Sequence, residues 1–223
     1  MEPNLPLAQK LYFLGIHPEK GGIVYRSHTA MDYVILGGLL MELYLNKNLR
    51  FEEKKIIVLS TKSDHQLHEY LLEKMSKAKS PRRISRWINK FYYSLNHIRN
   101  EVRQGLVDER MIKMDPKRFL FFKWKKPVVL NKLALYKIID QVKSDITNGT
   151  SSEEELIMLS FIEPAGLLYR LFPEKKQRKL ARRRLKEMMV SNRVSKAVAD
   201  AITASQAVAA SVAATAATAS ATT

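Results

Sequence analysis

Two arginines one helical turn apart are the clearest candidates for binding chemistry in this chain. Arg99 and Arg103 lie four residues apart in a segment whose apolar spacing predicts a helix, so both side chains fall on one face. A guanidinium group is planar and permanently charged, and its paired N–H groups match two oxygens of a phosphate. The spacing therefore predicts a phosphate contact. The alternative is a pair of exposed arginines beside Glu101.

The second candidate is an aromatic run that ends in lysines. Residues 111–128 predict a β-hairpin with its turn near Asp115-Pro116-Lys117. Alternation would then put Phe119, Phe121 and Lys123 on one face of the following strand. Leu120, Phe122 and Trp124 would lie on the other, so that both faces carry large apolar side chains. Tryptophan and lysine at an apolar tip are typical of a membrane interface, although an oligomer contact or packing against a helix would also use them. The predicted membrane-contacting residues are Phe119, Phe121, Phe122, Lys123, Trp124, Lys125 and Lys126.

The positive charge is concentrated in two segments. Residues 82–126 hold 13 Lys and Arg against 4 Asp and Glu, and this +9 together with +7 in residues 174–186 accounts for the whole net charge of +16. Clustered charge of this kind indicates an anionic partner such as a membrane surface, a nucleic acid or an acidic protein. The alternative for residues 174–186 is a solvated helix face that keeps the protein soluble.

Composition excludes several classes of protein. No apolar run approaches the roughly 20 residues of a spanning helix, and the N-terminus does not resemble a secretory signal. The chain has no cysteine, so disulfides and thiol chemistry are excluded. Asp64, His65 and His68 are the one candidate metal cluster, but no fourth ligand is visible and an exposed helix start is the preferred interpretation. With no nucleophile elbow, phosphate loop or paired carboxylates, we predict neither an enzyme nor a cofactor or metal site.

Apolar periodicity predicts a mainly α domain. Residues 31–45 are apolar on nearly every side and predict a buried helix, in which Gly37-Gly38 lets another helix approach and Glu42 needs a partner. A short strand is expected at 23–25 and another at 56–59. An apolar segment, 156–172, should break at Pro164. Further helices are predicted at 5–16, 65–77, 84–107, 131–147, 175–189 and, in an Ala-rich stretch, 194–214.

Three blocks in series carry a family resemblance. They are residues 11–22 leading into Gly37-Gly38-Leu39-Leu40-Met41-Glu42, then Trp87-Ile88 followed by residues 95–109, and finally Phe119-Leu120-Phe121-Phe122 with Pro127. In this order and spacing they resemble the Golgi phosphoprotein 3 family. The resemblance covers roughly residues 5–200 and leaves 201–223 as an Ala/Thr-rich tail. It implies a single helical-bundle domain wrapped by amphipathic helices, with a small protruding β-hairpin.

The resemblance also implies a ligand. Eukaryotic members of that family bind phosphatidylinositol 4-phosphate with one aromatic residue and three arginines, and they hold the cytosolic tails of glycosyltransferases. Here Arg99 keeps one of those arginines, while Asn96 and Leu36 stand at the other two. The aromatic position falls at Arg26 or Ser27. The predicted head-group residues are therefore Arg99, Arg103 and Arg26.

The expected protein is a cytoplasmic, peripheral membrane protein that binds anionic phospholipid. In a eukaryotic cell it would lie on the cytosolic face of the Golgi. Cytosolic tails of membrane proteins are expected partners, and a homo-oligomer built through the hairpin is an alternative. A winged-helix interpretation would make the hairpin a wing and place five arginines on DNA phosphates: Arg82, Arg83, Arg86, Arg99 and Arg103. It is disfavoured because a wing usually has a polar or small-residue tip, so nucleic acid is not expected.

Overall fold

The computed structural model describes residues 5–150, 152–190, 196–203 and 206. It is mainly helical, as the sequence predicts. The helices are α1 (Leu7–Leu14), α2 (Met31–Leu45), α3 (Gln66–Ser76), α4 (Ile84–Tyr92), α5 (Leu95–Asp108), α6 (Lys132–Asn148), α7 (Glu153–Ser160), α8 (Leu168–Leu171) and α9 (Lys175–Met189). The strands are β1 (Leu49–Glu52), β2 (Lys55–Val58), β3 (Arg82–Arg83), β4 (Ile112–Phe119) and β5 (Phe122–Val129).

The core is built around α2, which is buried along most of its length and packs against α1. Gly38 permits this approach, because a Cβ there would lie 3.2 Å from the Ala8 Cα of α1. A Cβ on Gly37 would meet Ile202 of the helical residues 196–203. The two glycines therefore let neighbouring segments close onto α2, as their sequence position predicts.

Glu42 has the partners that its burial requires. Its Oε1 accepts a hydrogen bond from the Ala8 N–H at 2.6 Å, and its Oε2 lies 2.6 Å from His68 Nε2 of α3. These two interactions offset much of the free-energy cost of removing the Glu42 carboxylate from water. The buried Glu42 thus ties α1 and α3 to the central helix.

Short strands border the helices. β1, β2 and β3 form a three-stranded antiparallel sheet in that order, of which the sequence predicted only β2. The strand expected at 23–25 is an isolated bridge between Ile16 and Ile23, followed by a 3-10 turn at Tyr25–Ser27.

The helix predicted over 84–107 is two helices, α4 and α5, separated at Tyr93 and Ser94. The Ser94 carbonyl accepts the Ile98 N–H of α5, and its hydroxyl accepts a hydrogen bond from Tyr70 at 3.0 Å. Serine favours such a helix start because its side chain competes with helical hydrogen bonding. The break escaped the prediction because buried Phe91 and Leu95 keep a helical spacing across it.

The hairpin has a different turn from the predicted one. β4 and β5 pair from Ile112↔Val129 to Phe119↔Phe122, so that the turn is Leu120-Phe121 and Pro116 lies inside β4 opposite Lys125. The prediction of a turn at 115–117 is therefore wrong. A proline is tolerated here because each strand of a two-stranded sheet has a free edge.

The C-terminal half follows the prediction more closely. Asn131 caps α6 and Ser152 caps α7 through hydrogen bonds to the Ala134 and Glu155 N–H groups. Turns around Pro164 separate α7 from α8, and α9 has the bounds expected for the basic helix. Of the helix predicted over 194–214, residues 196–203 and 206 are helical. The other residues of that range lie outside the described part of the chain.

Candidate functional site

Arg99 of α5 is held by a carboxylate. Its Nε and Nη2 donate hydrogen bonds to Asp32 Oδ1 and Oδ2, at 3.0 and 2.8 Å, and both side chains are about three-quarters buried. Asp32 lies in the first turn of α2, where a negative charge is favoured by the helix dipole. Asp32 therefore occupies the fork that the sequence assigned to a phosphate, and it leaves Nη1 as the remaining donor group.

Arg103 lies beside the same cluster and contacts an aromatic residue. Its Nε donates to the Tyr12 hydroxyl at 2.7 Å, and its Cζ lies 5.5 Å from the Tyr12 ring centroid. Burial raises the pKa of Tyr12, while the positive charges of Arg103 and, to a smaller extent, Arg99 oppose that rise. Arg99 and Arg103 thus share the surroundings of Tyr12 and form one positive patch, as their spacing predicts.

Arg26 has different neighbours. It stacks on Tyr169 of α8, with 3.7 Å from its Cζ to the ring centroid, and Arg178 of α9 lies 4.4 Å from the same centroid. Within the described ranges, no hydrogen bond, ion pair or ring contact joins Arg26 to Arg99 or Arg103. The structure therefore places the three predicted head-group residues in two separate surroundings.

The hairpin tip is a continuous apolar surface. Phe119, Leu120, Phe121 and Phe122 expose 67, 67, 93 and 73% of their areas, and Trp124 is half exposed. Four consecutive large apolar residues open to water are unusual on a soluble domain, and such patches mark sites of interaction with proteins or membranes. The predicted contact residues thus lie together at the end of the hairpin.

The register gives this hairpin two unlike faces. Residues paired across the ladder share a face, so Phe119 and Phe122 lie on the same side as Trp124. The opposite face of the outer half carries the cationic set Arg118, Lys123 and Lys125. The prediction that Phe121 and Lys123 share a face with Phe119 is wrong, because the turn at 120–121 restarts the alternation.

Lysines and one acid continue the hairpin toward its base. Lys117 donates to Asp115 at 2.8 Å, and this hydrogen bond is the main reason that the pKa of Asp115 is lowered. Lys126 lies on the same face as Asp115 and Trp124 and is partly covered, with its side chain close to Gly22. The aromatic face is therefore bordered by ammonium groups on its inner side.

The basic helix α9 is partly neutralised by two ion pairs, one with Glu163 and one within the helix. Arg182 pairs with Glu163, Arg183 with Glu187 at 3.5 Å, and Arg184 donates to the Thr147 carbonyl. Residues 174–186 therefore present fewer free charges than their sequence suggests. The alternative of a solvated helix face describes part of this segment.

The histidine pair has a structural role. His65 caps α3 by accepting the Leu67 N–H at Nδ1, and His68 is buried against Glu42 rather than exposed. No group of three metal-ligating side chains occurs among the residues that the structure describes.

Sequence reasoning missed the residues that hold the predicted arginines. Asp32, Tyr12 and Tyr169 are 67, 91 and 143 residues away from their partners Arg99, Arg103 and Arg26 along the chain. The one local signal was the position of Asp32 in the first turn of a very apolar helix, where a carboxylate is expected to have a nearby cation. The other two contacts depend on tertiary packing and have no local signature.

A search of curated proteins found no match. No helix in the described ranges is long and apolar enough to cross a bilayer. The family model described as Golgi phosphoprotein 3 (GPP34) matches residues 7–205, which is most of the chain. The chain therefore belongs to the Golgi phosphoprotein 3 family.

Proposed function

We propose that this protein binds the surface of membranes that contain anionic phospholipids, using the hairpin as its apolar anchor. The observation that carries the proposal is the exposed tip at 119–122, next to the cationic face of the same hairpin. Aromatic rings in the interfacial region and lysines or arginines near anionic lipid act together, and each cation near the surface adds about 1 kcal/mol.

The patch of Arg99 and Arg103 supplies head-group contacts in this proposal. Arg99 keeps Nη1 beyond its pair with Asp32, and Arg103 makes one side-chain hydrogen bond within the described ranges, to Tyr12. Both therefore retain donors for phosphate oxygens. The family resemblance makes phosphatidylinositol 4-phosphate the first head group to test. Leu36 stands where the family has an arginine. Its side chain is buried in α2 and has no hydrogen-bond donor.

An adaptor role extends the same proposal. The family resemblance implies that a membrane-bound domain of this type holds the cytosolic tails of membrane proteins. Nothing in the described contacts assigns a surface to such a tail, so lipid binding is tested first.

The test is co-sedimentation of the purified protein with three vesicle types. Vesicles are neutral, or contain phosphatidylglycerol, or contain phosphatidylinositol 4-phosphate at matched charge. We expect binding to both anionic types, and stronger binding to phosphatidylinositol 4-phosphate if the Arg99 patch reads the head group. F121S/F122S should lose most binding while its thermal unfolding stays within a few degrees of wild type, since both side chains are exposed.

The matched control removes two exposed apolar side chains elsewhere. Leu133 and Val190 expose 69 and 77% of their areas and lie outside the hairpin, so L133S/V190S should bind vesicles like the wild type. Unchanged vesicle binding by F121S/F122S would refute the anchor. If light scattering showed that the same variant turned an oligomer into a monomer, the tip would be a self-association surface, and a shift of duplex DNA without vesicle binding would favour a nucleic-acid function.

A further inference from the structure

A second cationic site lies in a groove that does not include Arg99 or Arg103. The groove has a volume of about 630 Å³ and runs between the 3-10 turn at Tyr25–Ser27, the middle of α6 and α8. His17 and Pro18 also line it. The same turn of chain packs against the base of the hairpin, where the Gly22 N–H donates to the Pro127 carbonyl at 2.7 Å. The groove therefore adjoins the inner end of the proposed membrane anchor.

Arg170 is a fixed cation in this groove. Its Nη1 donates to the carbonyls of Leu14, at 2.6 Å, and Ile16, which are groups at the C-terminal end of α1. Its Nη2 is buried and makes no hydrogen bond with any residue that the structure describes. Burial lowers the pKa of Arg170 to about 10, which still leaves the group charged at neutral pH. A partly buried guanidinium that lacks a counter-charge is costly, and an anion in the groove would supply that charge without having to contact Nη2.

Arg26 is a second cation, and its plane is fixed by stacking. Its guanidinium lies 3.7 Å from the centre of the Tyr169 ring. Stacking uses the face of the guanidinium and leaves its N–H edge available for an anion. Arg26 makes no hydrogen bond or ion pair with any other described residue. The close approach of the chain here depends on Gly166, where a Cβ would lie 2.6 Å from the Arg26 carbonyl.

The charges in the groove do not balance. Three cations line it, Arg26, Lys143 and Arg170, against the single carboxylate of Asp140. None of these four side chains belongs to an ion pair with another residue in the described ranges, so about two positive charges stay uncompensated. A phosphate monoester carries about −1.5 to −2 charges at neutral pH and offers three acceptor oxygens. Tyr25, Tyr136 and Tyr169 also line the groove, and a tyrosine hydroxyl is a hydrogen-bond donor suited to a phosphate oxygen.

We propose that this groove binds a phosphate monoester through Arg26, Lys143 and Arg170. The phosphate can belong to a lipid head group or to a soluble ester. The lipid source rests on the proposed membrane function, because it requires the hairpin to bring the groove to a surface. The soluble source does not.

The first test measures soluble ligands by calorimetry on the full chain. Inorganic phosphate and glycerol 3-phosphate are titrated into wild type, R26Q/K143Q and the control K175Q/K176Q, which removes the same charge from exposed positions outside the groove. We expect R26Q/K143Q to weaken binding at least tenfold and the control to leave it within about twofold. Both exchanged side chains in R26Q/K143Q lie at least partly in solvent and form no ion pair, so the variant should fold, which circular dichroism verifies.

The second test separates the two sources with vesicles. Phosphatidic acid, a monoester, is compared with phosphatidylglycerol, a diester, at equal surface charge. A preference for phosphatidic acid that R26Q/K143Q loses and K175Q/K176Q keeps supports a lipid source. Soluble binding with no such preference supports a soluble ester.

Two results would overturn the inference. One is the absence of both soluble binding and monoester preference. The other is an equal loss in R26Q/K143Q and K175Q/K176Q, which would mean bulk charge alone. Either result is distinguishable from failure of the proposed function, because hairpin-dependent binding to phosphatidylglycerol is read out in the same experiment.

Discussion

At the scale of single residues, Asp32 decides how much of Arg99 can reach a ligand. The two-point pair between them satisfies Nε and Nη2, and both side chains are largely covered. Such a pair fixes the orientation of the guanidinium while it competes with any phosphate for the same donors. Arg99 is therefore either a phosphate-binding residue that Asp32 holds in position or a purely structural partner of α2. Substitution of Asp32 distinguishes these two roles.

We expect D32N to strengthen binding to anionic vesicles by about threefold and R99Q to weaken it. The neutral amide withdraws one negative charge from the patch and releases part of the Arg99 fork, a gain of less than about 1.4 kcal/mol. The cost in stability should be about 1 kcal/mol, from the pair and the first turn of α2. Vesicle titrations and chemical denaturation measure both quantities. Vesicle affinities unchanged by either substitution would assign Arg99 a purely structural role.

His65 makes the stability of the fold depend on pH. Its Nδ1 must be unprotonated to accept the Leu67 N–H at 3.2 Å, and its ring lies 4.8 Å from the ring of His68. Partial burial and His68 lower the pKa of His65 below its ordinary 6.5, against a smaller opposing effect of Glu42 and Glu101. The unfolded chain therefore takes up the proton at higher pH, and stability falls as pH drops through 6.5 toward the folded-state pKa.

The variant H65N should reduce this acid sensitivity. Asparagine caps helices without titrating, so the loss of unfolding free energy between pH 7.5 and pH 5 should be smaller than in wild type. H28N is the control, because the exposed His28 ring hydrogen-bonds to no other described residue. Identical pH profiles for H65N and wild type would show that the cap does not sense pH.

At the scale of elements, the helices were predictable and the junctions were not. The 15 residues of α2 match the predicted helix because apolar side chains cover all sides and Leu45 ends the run. The hairpin turn was misplaced because Asp115-Pro116-Lys117 has turn chemistry, whereas Leu120 adopts a positive φ of 51° that its residue type does not signal. Moving the turn changed which side chains share a face, so the sequence identified the aromatic cluster without its geometry.

The contact between residues 196–203 and Gly37 of α2 can be tested by substitution. A Cβ on Gly37 would lie 2.4 Å from Ile202 Cδ1 and 2.8 Å from Phe161 Cε1. We expect G37A to destabilise the fold by about 1–2 kcal/mol, since overpacking costs about 1–3 kcal/mol and alanine regains up to about 1 kcal/mol of helix propensity. Chemical denaturation followed by circular dichroism measures the change.

The double variant G37A/I202V tests whether Ile202 causes this cost. I202V removes the clashing Cδ1 and alone should cost about 1 kcal/mol. The combined loss should be smaller than the sum of the two single losses, because valine relieves the contact that alanine creates. Strict additivity would mean that Ile202 does not pack against Gly37.

At the scale of the whole molecule, more than half of the net positive charge and the exposed apolar tip belong to one segment of the chain. The segment 82–126 carries +9 of the net +16, and it contains both the Arg99 patch and the exposed tip at 119–122. The other basic segment, α9, forms ion pairs with Glu163 and with its own Glu187, and it bears no run of exposed aromatic residues. A membrane orientation that buries the hairpin tip would bring the cations of the same hairpin, Arg118, Lys123 and Lys125, close to the lipid.

The two contributions to membrane binding should respond differently to salt. Attraction between exposed cations and anionic lipid is screened over about 10 Å at 0.1 M salt, whereas burial of phenylalanine is not. We expect the affinity for phosphatidylglycerol vesicles to fall with salt for wild type and for F121S/F122S alike. The ratio of the wild-type affinity to the affinity of the variant should stay constant. That ratio should exceed tenfold, because one fully buried phenylalanine contributes about 1.5–3 kcal/mol. A ratio that collapses to one at high salt would mean that the tip positions the hairpin cations and does not enter the lipid.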